Sequence, residues 1–393
     1  MVKQSKPQRR RLSKEKSEGS ISRRRFIRDV SVGTASLAVA AALPGLARSA
    51  IGPDKDLSKV VIARHPDSVL GASSFDPSLV GELVNTAVTE FTGQQAPGLA
   101  WQQIFPGLTA SSVIGIKINC INSACSSHPE VAYAIAEGLA SIPVGGGNFP
   151  RNNIIIWDRT NYEVQNAGYT KYIGSDPDTV RCFGTNEPGY GYDAGATIDV
   201  NGVDCNPSII LTQHCDYLIN LAVLKNHTGP GVTLGLKNHL GSIHNPSSLP
   251  HGDMDPELPV LNAKIRNELG DKHRLTIIDS LVGIISGGPS GSPQIIYGGV
   301  IFGIDPVATD CVGRQVLADN GCSTTENAGY IDTAAGAPYN LGTSDPEQID
   351  LIEHNPIPPA TRGYVDRMIR FHKEGLATAL QVEWAVNRYA RGK

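Results

Sequence analysis

The chain has 393 residues, 34 basic and 38 acidic side chains, 18% charged residues, 42 glycines and 26 prolines. That length allows one large domain or two modest ones, and the glycine and proline content points to a compact body with many ordered loops. Charge is unevenly placed. The first 50 residues hold 12 of the basic and 3 of the acidic side chains, so the rest carries 22 basic against 35 acidic, a net of −13. A body that acidic is a poor candidate for nucleic acid or anionic lipid. No apolar run after residue 50 approaches the roughly 20 residues that span a bilayer, so no permanent membrane anchor is expected.

The basic N-terminus belongs to targeting. Ser22-Arg23-Arg24-Arg25-Phe26-Ile27-Arg28 precedes an Ala-rich apolar stretch from about Val30 to Leu46, broken by Gly33, Pro44 and Gly45. The small residues of Ala47-Arg48-Ser49-Ala50 then suit a signal peptidase. Motif, apolar core and cleavage region occur in order, which reads as a twin-arginine signal peptide over residues 1–50. The alternatives are an uncleaved N-terminal anchor or a chance basic-apolar start. The export route carries folded proteins, so the expectation is a periplasmic or extracellular protein. Its partner during export is the twin-arginine translocase, and a metal or metal-containing cofactor is expected to be loaded in the cytoplasm.

In chain order, Lys59–Ala63 is the first strand candidate, and Gly81 to Phe91 is helical, with Leu83, Val84, Ala87 and Val88 on one face. Val113–Ile118 reads as a second strand. Pro129 opens a helix at its favoured first position, with Val131, Ile135 and Leu139 spaced along it. Strands follow at Asn153–Asp158, Tyr217–Leu221, Leu275–Asp279 and Val300–Asp305, with a helix beginning at Pro306. Gly184–Asn206 reads as an ordered excursion or hairpin, and Pro246–Pro259 as a long loop, a lid or surface decoration. Thr361 to Arg391 has helical periodicity and packs outside the sheet. Unbroken apolar strands alternating with helices indicate an α/β fold, a single domain over residues 51–393. Its sheet is expected to be largely parallel with helices on both faces.

Polar residues sit repeatedly just past the strand ends: Lys117, Asn119, Asp158, Lys225, His227, Asp279 and Asp305. In open parallel sheets that edge is where ligands bind, so these residues are expected to line one crevice. The densest chemistry lies in residues 225–251, where Lys225, His227, Lys237, His239, His244 and His251 flank a turn containing Gly229 and Gly231. Such a turn lets backbone amides approach a ligand. Imidazoles move protons or bind metal, and lysines hold anions or act as nucleophiles. Simple satisfaction of backbone groups in a Gly-rich loop is the alternative.

Seven cysteines follow the leader: Cys120, Cys125, Cys182, Cys205, Cys215, Cys311 and Cys322. An odd count leaves at least one thiol unpaired. Cys120, Cys125 and His128 could bind a soft metal, with His244 a further ligand candidate. A disulfide or buried thiols are the alternatives.

The residues around this run resemble the family catalogued as domain of unknown function 362. The likeness is carried by Lys117-Ile-Asn119, His128-Pro129-Glu130, Asp216 to Leu221 and Leu224-Lys225-Asn226-His227. Val232-Thr233-Leu234-Gly235-Leu236-Lys237-Asn238-His239-Leu240-Gly241, Ile278-Asp279, Gly288-Pro289 and Asp305 to Asp310 complete it. It covers about residues 58–320. Many members also carry a ferredoxin-like cysteine segment, which this chain lacks. A shorter similarity links His227 and Lys237, ten residues apart around glycines, to lactate racemase, a nickel-pincer enzyme. That similarity implies Lys237 as a cofactor tether, His227 as an acid/base and His239 or His244 as a ligand.

The expectation is therefore an exported cofactor- or metal-dependent enzyme, an isomerase or oxidoreductase, acting on a small anionic or hydroxylated molecule. His227, Lys237, Lys225 and His239 would be catalytic. Lys117, Asn119, Asn238, Gly229, Gly231, Asp158, Asp279 and Asp305 would bind the cofactor. The alternative is a non-catalytic periplasmic binding protein or a redox-partner accessory protein.

Overall fold

The strands form where β-branched and apolar residues run unbroken, and they assemble into one nine-stranded sheet. In a computed structural model that describes residues 57–65, 67–354 and 362–391, its strands are β1 (Ser58–Arg64), β2 (Ile114–Lys117), β3 (Ile154–Asp158) and β4 (Arg181–Gly184). They continue as β5 (Tyr217–His227), β6 (Gly231–Thr233), β7 (His273–Ile284), β8 (Ile295–Gly303) and β9 (Ile349–His354). The export signal read at residues 1–50 lies outside the described residues.

The helices are α1 (Pro77–Thr92), α2 (Pro97–Ile104), α3 (Pro129–Ala140), α4 (Asn161–Asn166) and α5 (Gly235–Asn238). After them come α6 (Glu257–Glu268), α7 (Pro306–Asp319), α8 (Tyr330–Ala335), α9 (Arg362–Lys373) and α10 (Ala379–Arg391). Proline stands in the first turn of α1, α2, α3 and α7, where its missing N–H costs nothing.

Sheet order is β9-β1-β8-β7-β5-β2-β3-β4, with β6 folding back onto β5. The pairs from β7 through β5, β2 and β3 to β4 are parallel, and so is β1 with β9. β8 runs antiparallel to both its neighbours. Strand residues alternate between two cores. Ile219, Leu221 and Val223 face α1, α2, α3, α9 and α10, while Leu218, Ala222 and Leu224 face α6, α7 and α8. The fold is thus α/β with a largely parallel sheet covered on both faces.

Details differ from the sequence reading for physical reasons. β5 and β7 extend past the expected ends at Leu221 and Asp279 because polar residues within them are paired inside the protein. The region 184–206 does contain a hairpin, Ile198–Val200 with Val203–Cys205. The stretch expected as a loop to Pro259 ends earlier, at the start of α6, whose Leu258 and Leu261 are buried. Asp56–Lys393 form one compact unit.

Candidate functional site

Where β2 and β3 end against the longer strands β5 and β7, five charged side chains are buried or nearly so: Lys117, Lys225, Asp158, Asp279 and, deeper behind α5, Asp310. Buried charge is costly unless paired or hydrogen-bonded, and the bonding shows how each is met. The Lys117 ammonium donates to Asp158 Oδ1 at 2.7 Å and to the Ile118 carbonyl at 2.6 Å, and it lies 5.6 Å from the Trp157 ring. The other oxygen of Asp158 accepts the Cys120 amide at 2.6 Å. Asp279 accepts both the backbone amide and Nδ1 of His128 through one oxygen, at 2.7 and 2.8 Å, which fixes the start of α3.

Lys225 has no carboxylate partner among the described residues. It donates to Asn119 Oδ1 at 2.8 Å and the Cys125 carbonyl at 3.0 Å. An ammonium only donates, so the Asn119 oxygen must face it. The Asn119 amide nitrogen then faces Asn238 Oδ1 at 3.1 Å, and Asn238 in turn donates to Asn220 Oδ1 at 2.7 Å. One polar chain thus links Lys225, Asn119, Asn238 and Asn220, with Lys117 3.5 Å from the Asn238 oxygen. Full burial lowers the Lys225 pKa, against nearby groups headed by Cys125 and Cys120 that raise it.

α5 carries Asn238 into this network and Lys237 beside it. The first two amides of α5, from Gly235 and Leu236, donate to the two oxygens of Asp310 at 2.7 and 2.8 Å. Burial nevertheless pushes the Asp310 carboxyl up to about 7. Lys237 is half-buried, and its ammonium has no hydrogen bond or ion pair among the described residues. Burial first, then the neighbouring Lys225, push its pKa down to about 8. His227, also half-buried, is pushed down to about 4 by burial, Lys237, His251 and Lys225 in that order. Its Nδ1 accepts the Gly229 amide at 3.2 Å. A weakly basic, partnerless amine therefore stands near a neutral imidazole.

The structure brings together Lys117, Asn119, Asp158, Lys225, Asn238 and Asp279, with His227 and Lys237 at the edge of the group. It removes others. Asp305 ends a strand that runs opposite to its neighbours, so it sits at the other edge of the sheet, capping α7 through the Val307 and Ala308 amides and accepting Ser58 Oγ at 2.6 Å. Gly229 and Gly231 do not open backbone to a ligand. A Cβ at Gly229 would lie 2.5 Å from the Gly252 carbonyl, and one at Gly231, where φ is +81°, 2.6 Å from the Thr324 carbonyl. The chain's own loops occupy the approach.

His239 is fully buried against His273, rings 5.2 Å apart, with Nδ1 on Ser242 Oγ, so the catalytic or metal-ligand role expected of it has no access to solvent. His244 accepts the Asn206 amide at 2.8 Å on the excursion. Cys120 lies by Asp158 and Lys117, Cys125 by Lys225 and Asp279. Burial raises both thiols, Cys125 to about 12, which disfavours the thiolate a metal needs. Cys120, Cys125, His128 and His244 thus form no common ligand set. No group of three His, Cys, Asp or Glu suited to a metal occurs among the described residues, and all seven cysteines are free.

Two contributors escaped the sequence reading of the site. Asn220 lies mid-strand, where only its position opposite Lys117 on the neighbouring strand gives it away. Asp310 lies inside α7, and the run Asp305-Pro306-Val307-Ala308-Thr309-Asp310 was its only signal.

No curated protein matches the sequence. A Thermotoga maritima protein solved as a structural-genomics target aligns with 11% identity and a TM-score of 0.34, over 74% of this chain and 90% of that one. The profile of a domain of unknown function, DUF362, matches residues 114–315, which span β2 to α7 and every member of the buried network, and the chain belongs to that family.

Proposed function

We propose that this protein is an exported enzyme that acts on a small anionic or hydroxylated molecule at the edge where Lys237, His227 and Lys225 meet. One observation carries the reading. Of the three lysines gathered here, Lys117 and Lys225 are consumed by the buried network, whereas Lys237 on α5 has no side-chain partner among the described residues and a pKa of about 8. A structural lysine acquires a carboxylate or carbonyl. A half-buried amine left unpaired near neutrality is available as a nucleophile or tether. His227, neutral at physiological pH, is available to take a proton from the bound molecule. The Lys225 charge behind them favours a ligand that is, or becomes, negative.

A metal ion held by side chains alone does not fit, because no such donor set converges among the described residues. A metal-containing cofactor tethered through Lys237, as the similarity to the nickel-pincer enzyme lactate racemase implies, does fit the partnerless amine. When bound it would supply the electron or hydride chemistry that an isomerase or oxidoreductase needs, while His227 moves the proton and Lys225 supports the charge. The twin-arginine sequence at Arg23 and Arg24 supports the same reading, since that route exports proteins already folded around a cofactor. A periplasmic binding protein would use the same lysines but needs no depressed amine. Intact-mass analysis of natively exported protein tests this: an adduct mapped to Lys237 and absent from Lys237→Arg is expected. An unmodified mass, with ligand binding unchanged in Lys237→Arg, would contradict it.

A further inference from the structure

A cleft of about 430 Å³ opens between the loop after β2 and α4, beside the buried network but built from other residues. Its lip is apolar and exposed. Tyr162 shows 73% of its surface to solvent and Ile121 56%. Tyrosine is enriched at contact surfaces, where its ring can pack while its hydroxyl stays wet.

The rest of the lining is polar and uncharged in effect. Glu163 is the only carboxylate lining it among the described residues, and Arg159 holds that group on both oxygens. Among the described residues, no lysine or arginine lines the cleft. Ser123 and Asn166 make no side-chain hydrogen bond among the described residues, and Asn186 uses only its Oδ1, accepting the Asn161 amide at 2.7 Å. Thr160 is engaged in capping α4 through the Glu163 amide. The floor, Cys120, is buried and fixed, since Asp158 holds its amide. What remains free among the described residues is one aromatic face, the Tyr162 and Ser123 hydroxyls, the Asn166 amide and the Asn186 amide nitrogen.

Free amides and hydroxyls both donate and accept, which matches vicinal hydroxyl groups. A flat aromatic face matches the C–H face of a sugar ring. Without a free cation the cleft has nothing to recognise a phosphate or carboxylate. We propose that it binds a neutral pyranose, free or as one unit of a larger molecule, stacked on Tyr162 and hydrogen-bonded by Ser123, Asn166 and Asn186. This proposal rests on the cleft alone and not on the reactivity of Lys237.

The test is saturation-transfer NMR and calorimetry on the full chain with the methyl glycosides and trisaccharides of glucose, galactose and mannose. At least one should bind with a Kd on the order of millimolar. Tyr162→Ala should weaken that binding roughly tenfold or more, and Tyr162→Phe, which keeps the ring, by less than about threefold. Asn186→Ala should weaken it several-fold, and Lys237→Arg should leave it unchanged. Tyr162 and Asn186 are exposed, so their variants are expected to fold, which circular dichroism checks. If no sugar of the panel binds at about 20 mM, or if binding is the same in Tyr162→Ala, the proposal is wrong. Preferential binding of a nucleotide over every sugar would overturn its neutral character.

Discussion

Asp158 holds two groups at once in the interior: the Lys117 ammonium at 2.7 Å on one oxygen and the Cys120 amide at 2.6 Å on the other. It thereby neutralises a buried charge and also fixes the loop leaving β2. Asp158→Asn keeps the shape but removes the charge, leaving Lys117 unpaired. Breaking a buried pair in this way typically costs about 3–5 kcal/mol. Urea unfolding should show a loss of that order. A double variant, Lys117→Met with Asp158→Asn, should recover part of it. A change below about 1 kcal/mol for the single variant would mean the pair is solvated.

Asp310 predicts a pH dependence of stability. Its carboxyl is pushed up to about 7, chiefly by burial, against about 3.9 for an unfolded aspartate. The folded state holds this proton more tightly. The contribution therefore favours folding below about pH 4 and is lost as pH rises to about 7, an effect on the order of a few kcal/mol. Asp310→Asn cannot titrate, so its stability should fall less between those pH values than that of the wild type. Equal slopes in denaturant curves across that range would show that Asp310 titrates normally.

Much of this architecture was legible because apolar runs and N-terminal prolines report local physics. β1, β2, β3 and α3 fall within a residue or two of their expected bounds, since Ile154 to Ile156 or Pro129 mark their elements without help from the rest of the chain. Strand direction is not local. Val300 to Ile304 looks the same whether the strand runs up or down, so Asp305 was placed at the wrong edge. The polar network was visible only as separate residues. Lys117, Asn119 and Lys225 stood out as chemistry at strand ends, but nothing in their spacing said that they would satisfy one another. Glycine roles failed similarly, because whether Gly229 meets a ligand or the Gly252 carbonyl depends on a loop more than 20 residues away.

The turn between β5 and β6 is thus structural, and a pair of glycines tests that. Gly202 and Gly231 both have φ above +80°, but nothing lies near a Cβ at Gly202, whereas one at Gly231 meets the Thr324 carbonyl and the Ala328 amide. Gly202→Ala should cost only the left-handed backbone term, about 1–2 kcal/mol. Gly231→Ala should cost clearly more, because backbone must also move. Thermal unfolding of the two variants distinguishes them. Equal costs would leave the Gly231 turn open and accessible.

Export is tested at the leader. Arg23→Lys combined with Arg24→Lys should leave a soluble precursor in the cytoplasm, seen by fractionation and immunoblotting. Unchanged export of that variant would remove the twin-arginine reading and with it the argument for a cofactor loaded before export.

The reading of the site depends most on Lys237 being a weakly basic, unpaired amine. The direct measurement is the pH dependence of its acylation rate, followed by peptide mass spectrometry under trace labelling with acetic anhydride. The midpoint should fall near 8, well below the ordinary 10.5, because burial and Lys225 both disfavour the charged form. Lys225→Met should move it upward by removing the neighbouring charge. A midpoint near 10.5 in the wild-type protein, unaffected by Lys225→Met, would make Lys237 an ordinary solvated lysine and contradict the proposed site.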